Sequence, residues 1–147
     1  MNSICRAALV AGALIGASCG GGGGSYTPPA GPPSTGGSGS IATVTIRADG
    51  TVDPKEVRIN MQDQVRFVNQ DTRAHQPQSN PHLVHTDCPA INRVGVLNPG
   101  DSRTTDPFTQ EKVCGFHDHM NPDTAGLGGI IRVAGAEGPP GPVYIKH

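Results

Sequence analysis

Apolar and polar residues alternate in short runs between residues 41 and 134. Val44 and Ile46 are interleaved with Thr43, Thr45 and Arg47; Val57, Ile59 and Met61 with Arg58 and Asn60; Val65 and Phe67 with Arg66. A period of two marks strands with one buried face, and no stretch shows the helical period. Asp49-Gly50, Asp53-Pro54, Gln62-Asp63 and Asn98-Pro99-Gly100 separate the runs as turns, and Ile130-Ile131-Arg132-Val133 closes the series. A further strand is expected over Phe108 to Val113. The pattern predicts an all-β domain, a small antiparallel Greek-key β-sandwich or barrel, over residues 41–134.

The flanks read differently. Ala7 to Ser18 is an apolar run of twelve residues behind a single early cation, Arg6, the pattern of a cleaved export signal over residues 1–18 and too short to span a bilayer. Gly16-Ala17-Ser18-Cys19 resembles the lipobox of bacterial lipoproteins, which implies a lipid on Cys19 and anchoring to a membrane, the outer one if the host has two. Residues 19–40 are rich in Gly, Pro and Ser, with little to bury, and read as a tether with a reach of roughly 25 Å. Residues 135–147 have the same character and are expected to form a flexible tail.

Composition narrows the function classes. The 147 residues include 21 Gly, 14 Pro and no Trp, which limits the chain to one small core. Eleven basic residues balance twelve acidic ones without a basic cluster, so nucleic acid is not an expected partner. No Gly-x-Ser-x-Gly occurs within residues 41–134, and no enzymatic activity is expected.

The candidate chemistry lies in one window. Five of the six histidines and two of the four cysteines fall between His75 and His119, in segments read as loops between strands. Any one of these histidines is most simply a solvated loop residue. As a set, His75, His82, His85, Cys88, Cys114, His117 and His119 are ligands for borderline-soft metals, copper ahead of zinc, since the paired C-x-x-C of structural zinc modules is absent.

Within that window Cys114-Gly115-Phe116-His117-Asp118-His119-Met120 has the C-x-x-H-x-x-M spacing of the ligand loop of the amicyanin branch of cupredoxins, the blue copper electron carriers. Upstream, Val65 to Asp71 followed by His75 resembles the strand of that family that ends in N-x-D before its first histidine ligand. The resemblance implies a type 1-like copper centre with His75, Cys114 and His117 in a plane. Met120 would be the axial ligand, Asn69 or Asp71 would orient the histidines, and His117 would be the electron port. It also implies transient redox protein partners. Leu127, ahead of Gly128-Gly129-Ile130, occupies the slot where the family places its axial methionine and competes with Met120.

Two alternatives stay open on the residues themselves. His82, His85, Cys88 and His119 have no counterpart in the simplest members of that family. They would suit a second metal site, or a protein that buffers or delivers copper. Cys88 and Cys114 are the thiols left after export and lipidation; paired as a disulfide they would leave a histidine-only site or a purely structural sandwich.

Overall fold

The computed structural model describes residues 39–144. The proposed signal over residues 1–18, Cys19 and the tether up to residue 38 lie outside the described residues. The regular structure of the described chain is nearly all strand: β1 (Ile41–Ile46), β2 (Val52–Asp53), β3 (Glu56–Ile59), β4 (Gln64–Asn69), β5 (Pro77–Ser79), β6 (Ser102–Thr104), β7 (Lys112–Asp118) and β8 (Gly129–Val133). One helical turn, α1 (Pro89–Asn92), and a 3-10 turn, Ala125–Leu127, interrupt them. No helix among the described residues is long and apolar enough to cross a membrane.

The strands form two four-stranded sheets, ordered β2-β1-β4-β6 and β3-β8-β7-β5. The sandwich expected from the alternation is present, with one difference: β1 runs parallel to β4, and β3 parallel to β8. Turn signals between consecutive runs suggest hairpins, but β3 leaves the sheet of β1 and β2 for the opposite one, so apart from β1-β2 and β7-β8 the neighbours in each sheet are not consecutive strands. Val44, Ile46, Val65 and Phe67 from one sheet meet Val57, Ile59, Phe116, Ile131 and Val133 from the other. Phe67 and Phe116 touch edge to face, with centroids 5.1 Å apart, in the geometry aromatic quadrupoles favour. Met61, read as the end of an alternating run, lies outside β3 and is exposed, because the chain turns through Gln62 at φ 71°.

Cys88 and Cys114 form a disulfide across a separation of 26 residues. Closing a loop of that size removes roughly 3–4 kcal/mol of unfolded-state chain entropy, a useful contribution in a small core. The bond staples the segment after β5 to β7, and this positions the site.

The segment after β8 is held at several points. Asn80 Nδ2 donates to the Gly141 carbonyl at 2.6 Å, the His82 N–H donates to the Val143 carbonyl, and the Tyr144 hydroxyl donates to Asp123 at 2.7 Å.

Candidate metal centre

The strand expected before Cys114 instead runs through it: β7 spans Lys112–Asp118, so Cys114, His117 and Asp118 are strand residues and not loop residues. Strand parity then decides which side chains can meet. Cys114, Phe116 and Asp118 share one face, and Gly115 and His117 the other, with His119 continuing that second series. Cys114 and His117 are an odd number of residues apart and point to opposite faces. A C-x-x-H spacing that converges from a loop diverges from a strand.

This corrects the thiolate-centred site. Cys114 is bonded to Cys88 in the core, so neither sulfur is available as a thiolate ligand. His75 is fully buried, and both ring nitrogens are committed: Nε2 lies 3.0 Å from Asp71 Oδ2 and Nδ1 3.0 Å from Asp118 Oδ2. No nitrogen of that ring is left for a metal. Asn69 and Asp71 do not orient metal ligands. Asn69 Nδ2 donates to the carbonyls of Arg73 and Leu97, tying down the turn that carries His75, and Asp71 accepts from His75 itself. Without the plane of His75, Cys114 and His117 there is no axial position to contest: Met120 is 51% exposed in the turn after β7, and Leu127 packs in the core.

On the outer face of β7 a different set converges. One ligand nitrogen from each of His82, His85, His117 and His119 lies within 4.8 Å of all the others. His82 Nδ1 is 3.3 Å from His117 Nε2, and His85 Nε2 is 3.0 Å from His119 Nδ1. Around a metal with bonds of about 2.0–2.1 Å to nitrogen, tetrahedral ligands stand about 3.3 Å apart, so the cluster has the dimensions of a four-imidazole site. Cys88, grouped with three of these histidines on sequence, is replaced by His117.

The positions follow from local pairing. β5 pairs antiparallel with β7, with Gln78 opposite His117 and Ser79 opposite Phe116, so the loop after β5 emerges beside the histidine face. That loop carries His82 and His85 and turns through the left-handed region at Leu83 (φ 75°) and His85 (φ 48°). Non-glycine residues held there cost on the order of 1 kcal/mol or more each, and such strain collects at functional sites. The loop is fixed by hydrogen bonds from Ser79 Oγ and Asn92 Nδ2 to the His85 carbonyl.

Two rings are also aimed from behind. His85 Nδ1 donates to the Ser79 carbonyl at 2.8 Å, since a carbonyl can only accept, and this turns the lone pair of Nε2 toward the cluster. His117 Nδ1 pairs with Asn80 Oδ1 at 2.9 Å, with the same result. Asn80 reaches this place over Gly115, where a Cβ would stand 2.4 Å from Asn80 Nδ2. A side chain at 115 would push the amide away from His117.

The electrostatics suit a cation. Burial, followed by the neighbouring rings of His85, His82 and His119, pushes His117 from 6.5 down to about 4, partly opposed by Asp118. Burial, then the rings of His85 and His82, lower His119, again partly opposed by Asp118. His117 and His119 therefore resist protonation and present lone pairs at neutral pH, the form in which imidazoles bind metals. Burial pushes the Asp118 carboxyl up, but hydrogen bonds from Asn121, the Gln76 N–H and His75 outweigh it, and the net shift is downward.

Sequence reasoning found all four of these histidines but grouped them wrongly. The signal was the H-x-H of His117 and His119, which places both on one strand face, together with the H-x-x-H of His82 and His85. Asn80, Ser79 and Tyr144 were not anticipated, because only the pairing of β5 with β7 and the path after β8 bring them to the cluster.

No family model and no curated protein matches the chain. Solved structures align with part of the chain. A purple cupredoxin from Nitrosopumilus maritimus aligns at TM-score 0.48 and 21% identity, over 63% of this chain and 98% of its own. The oxidized plastocyanin of Dryopteris crassirhizoma aligns at TM-score 0.49 and 14% identity, over 63% and 99%. The auracyanin of Roseiflexus castenholzii, in its dithionite-reduced form, aligns at 0.48 and 19%, over 67% and 99%. Several of the solved structures it aligns with are cupredoxins, and one is a Cu-containing nitrite reductase of which 23% is covered.

Proposed function

We propose that this is an exported copper protein that holds one copper ion among His82, His85, His117 and His119 and passes one electron through it to transient redox partners. The observation that carries the reading is the convergence of four ligand nitrogens within 4.8 Å. Copper(II) stands at the top of the affinity order for divalent ions at nitrogen donors, ahead of zinc. Bound there, copper supplies a one-electron couple between Cu(II) and Cu(I). The chain's own contribution is to hold the rings in place: Asn80 and Ser79 aim two of them and the disulfide fixes the loop against β7, which limits rearrangement on electron transfer. The centre has no thiolate, so it is not a type 1 site.

The disulfide supports an oxidising compartment. Export through residues 1–18 and lipidation of Cys19 belong to the same proposal and would confine the domain near its partners. Leu83, Val84 and Met120, exposed and adjacent in sequence to the ligands, offer apolar surface for a brief, small contact. A second reading, copper storage or delivery, is favoured by the placement of His82 and His85 on a loop outside both sheets.

Titration of the metal-free domain with Cu(II), followed by spin resonance and voltammetry, tests both. Electron transfer requires one tightly held copper per chain, four-nitrogen hyperfine structure, no intense thiolate band and reversible one-electron reduction. Rapid loss of Cu(I) to a chelator after reduction would favour delivery, and the absence of stoichiometric binding would overturn both.

A further inference from the structure

We infer that Tyr144 is a positioning residue for His82, and that the segment after β8 forms one wall of the metal centre. This rests on the reading of the four histidines as that centre.

The four rings are not equally supported. His85 and His117 are aimed through Nδ1 by the Ser79 carbonyl and Asn80 Oδ1. His119 follows directly from β7, and its N–H donates to the Gln76 carbonyl at 2.8 Å. Among the described residues His82 has no such support behind its ring: its backbone N–H donates to the Val143 carbonyl, and its ring meets Tyr144 edge to face with centroids 5.5 Å apart. The supports of His82 therefore come from residues 143 and 144.

Tyr144 can bear on His82 because its far end is anchored. Its hydroxyl donates to Asp123 Oδ1 at 2.7 Å. Asp123 belongs to the turn that follows His119, which is itself closed by Asn121 N–H to the Asp118 carbonyl and Thr124 N–H to the Asn121 carbonyl. Tyr144 thus spans from the loop of His82 to the turn after His119. The same segment reaches His117 indirectly, because the Gly141 carbonyl accepts from the Asn80 amide whose oxygen faces that ring. Composition alone suggests a loose tail here; in the fold it is the backing of one ligand and a brace for another.

The test uses Tyr144→Ala, Tyr144→Phe and Asp123→Asn in the full chain, each loaded with Cu(II) alone. Release to a chelator should be about tenfold faster in Tyr144→Ala than in wild type, with altered hyperfine splitting. Tyr144→Phe keeps the ring but loses the anchor, and Asp123→Asn weakens it, so both should release copper at rates between wild type and Tyr144→Ala; Tyr144→Phe also covers the case in which the alanine variant folds poorly. The chain has no Trp and its other Tyr is Tyr26, so in a Tyr26→Phe background copper should quench the emission of Tyr144 directly. In the metal-free protein, the ring resonances of His82 should move in Tyr144→Ala while those of His85 stay. Unchanged release, splitting and His82 resonances would overturn the positioning role. If wild type itself binds no copper, the metal reading fails, and the His82 resonances still decide whether Tyr144 orients that ring.

Discussion

His75 and His117 are both buried, 0% and 2% exposed, yet they stand in opposite environments. His75 lies between two carboxylates, with each ring nitrogen 3.0 Å from an Asp oxygen. His117 lies among three other imidazoles, and its one outward nitrogen faces a neutral amide. Asp118 separates the two regions: its carboxylate points to His75 from one face of β7 while its chain neighbours His117 and His119 belong to the other. The contrast shows that burial of a histidine in a metal-rich window does not make it a ligand. What the nitrogens face decides: anions at one pole turn the ring into a structural bridge, and like rings at the other leave lone pairs for a cation.

The sharpest way to break the comparison is to remove one member of each set. His117→Ala should abolish stoichiometric copper binding, lowering affinity by more than the roughly 10–100-fold that loss of an outer partner costs, with the fold intact by circular dichroism. His75→Leu should do the reverse: about 3–5 kcal/mol less stability in denaturant unfolding, because Asp71 and Asp118 lose a buried partner, but still one copper per chain. If His75→Leu lost copper while remaining folded, the two poles would not be distinct.

Acid sharpens the distinction. His117 has a folded pKa of about 4, below its ordinary 6.5, so the unfolded chain takes up its proton first. The stability it contributes to the metal-free protein is present above pH 6.5 and lost as pH falls toward 4, on the order of 3 kcal/mol. Unfolding of the metal-free protein across that window should show the loss, and His117→Ala should flatten it. Asp71 behaves in a lower window: the hydrogen bond with His75 is the main cause that holds it down to about 2, so its contribution persists through pH 4 and fades only as pH drops from 3.8 toward 2. A smaller effect than that of His117→Ala is expected for Asn80→Ala, which should weaken copper binding about 10–100-fold by freeing the His117 ring, as calorimetric titration would show.

Alternation at Val44 to Arg47, Val57 to Asn60 and Val65 to Phe67 made the sandwich legible, because a half-buried strand must write its period into the chain. β2, β5 and β6 carried no such signal: they are two or three residues long, and β5 reads Pro77-Gln78-Ser79. That polar strand is the one that delivers the His82 loop to β7, so the missed element and the misassembled site have one cause.

The chain on its own determined an all-β domain and a window dense in histidine, since hydrophobic period and residue type are local properties. It also made the pairing of Cys88 with Cys114 a stated alternative to a thiolate ligand. Only the tertiary structure decided which of these groups meet. Extending β7 through Cys114 to Asp118 turned sequence neighbours into opposite faces, sending Cys114 to the core, Asp118 to His75 and His117 to a cluster completed from the loop after β5. Ligand spacing is read along the chain, but convergence depends on strand parity and on which distant segments lie alongside, and these are set by the packing of the whole domain.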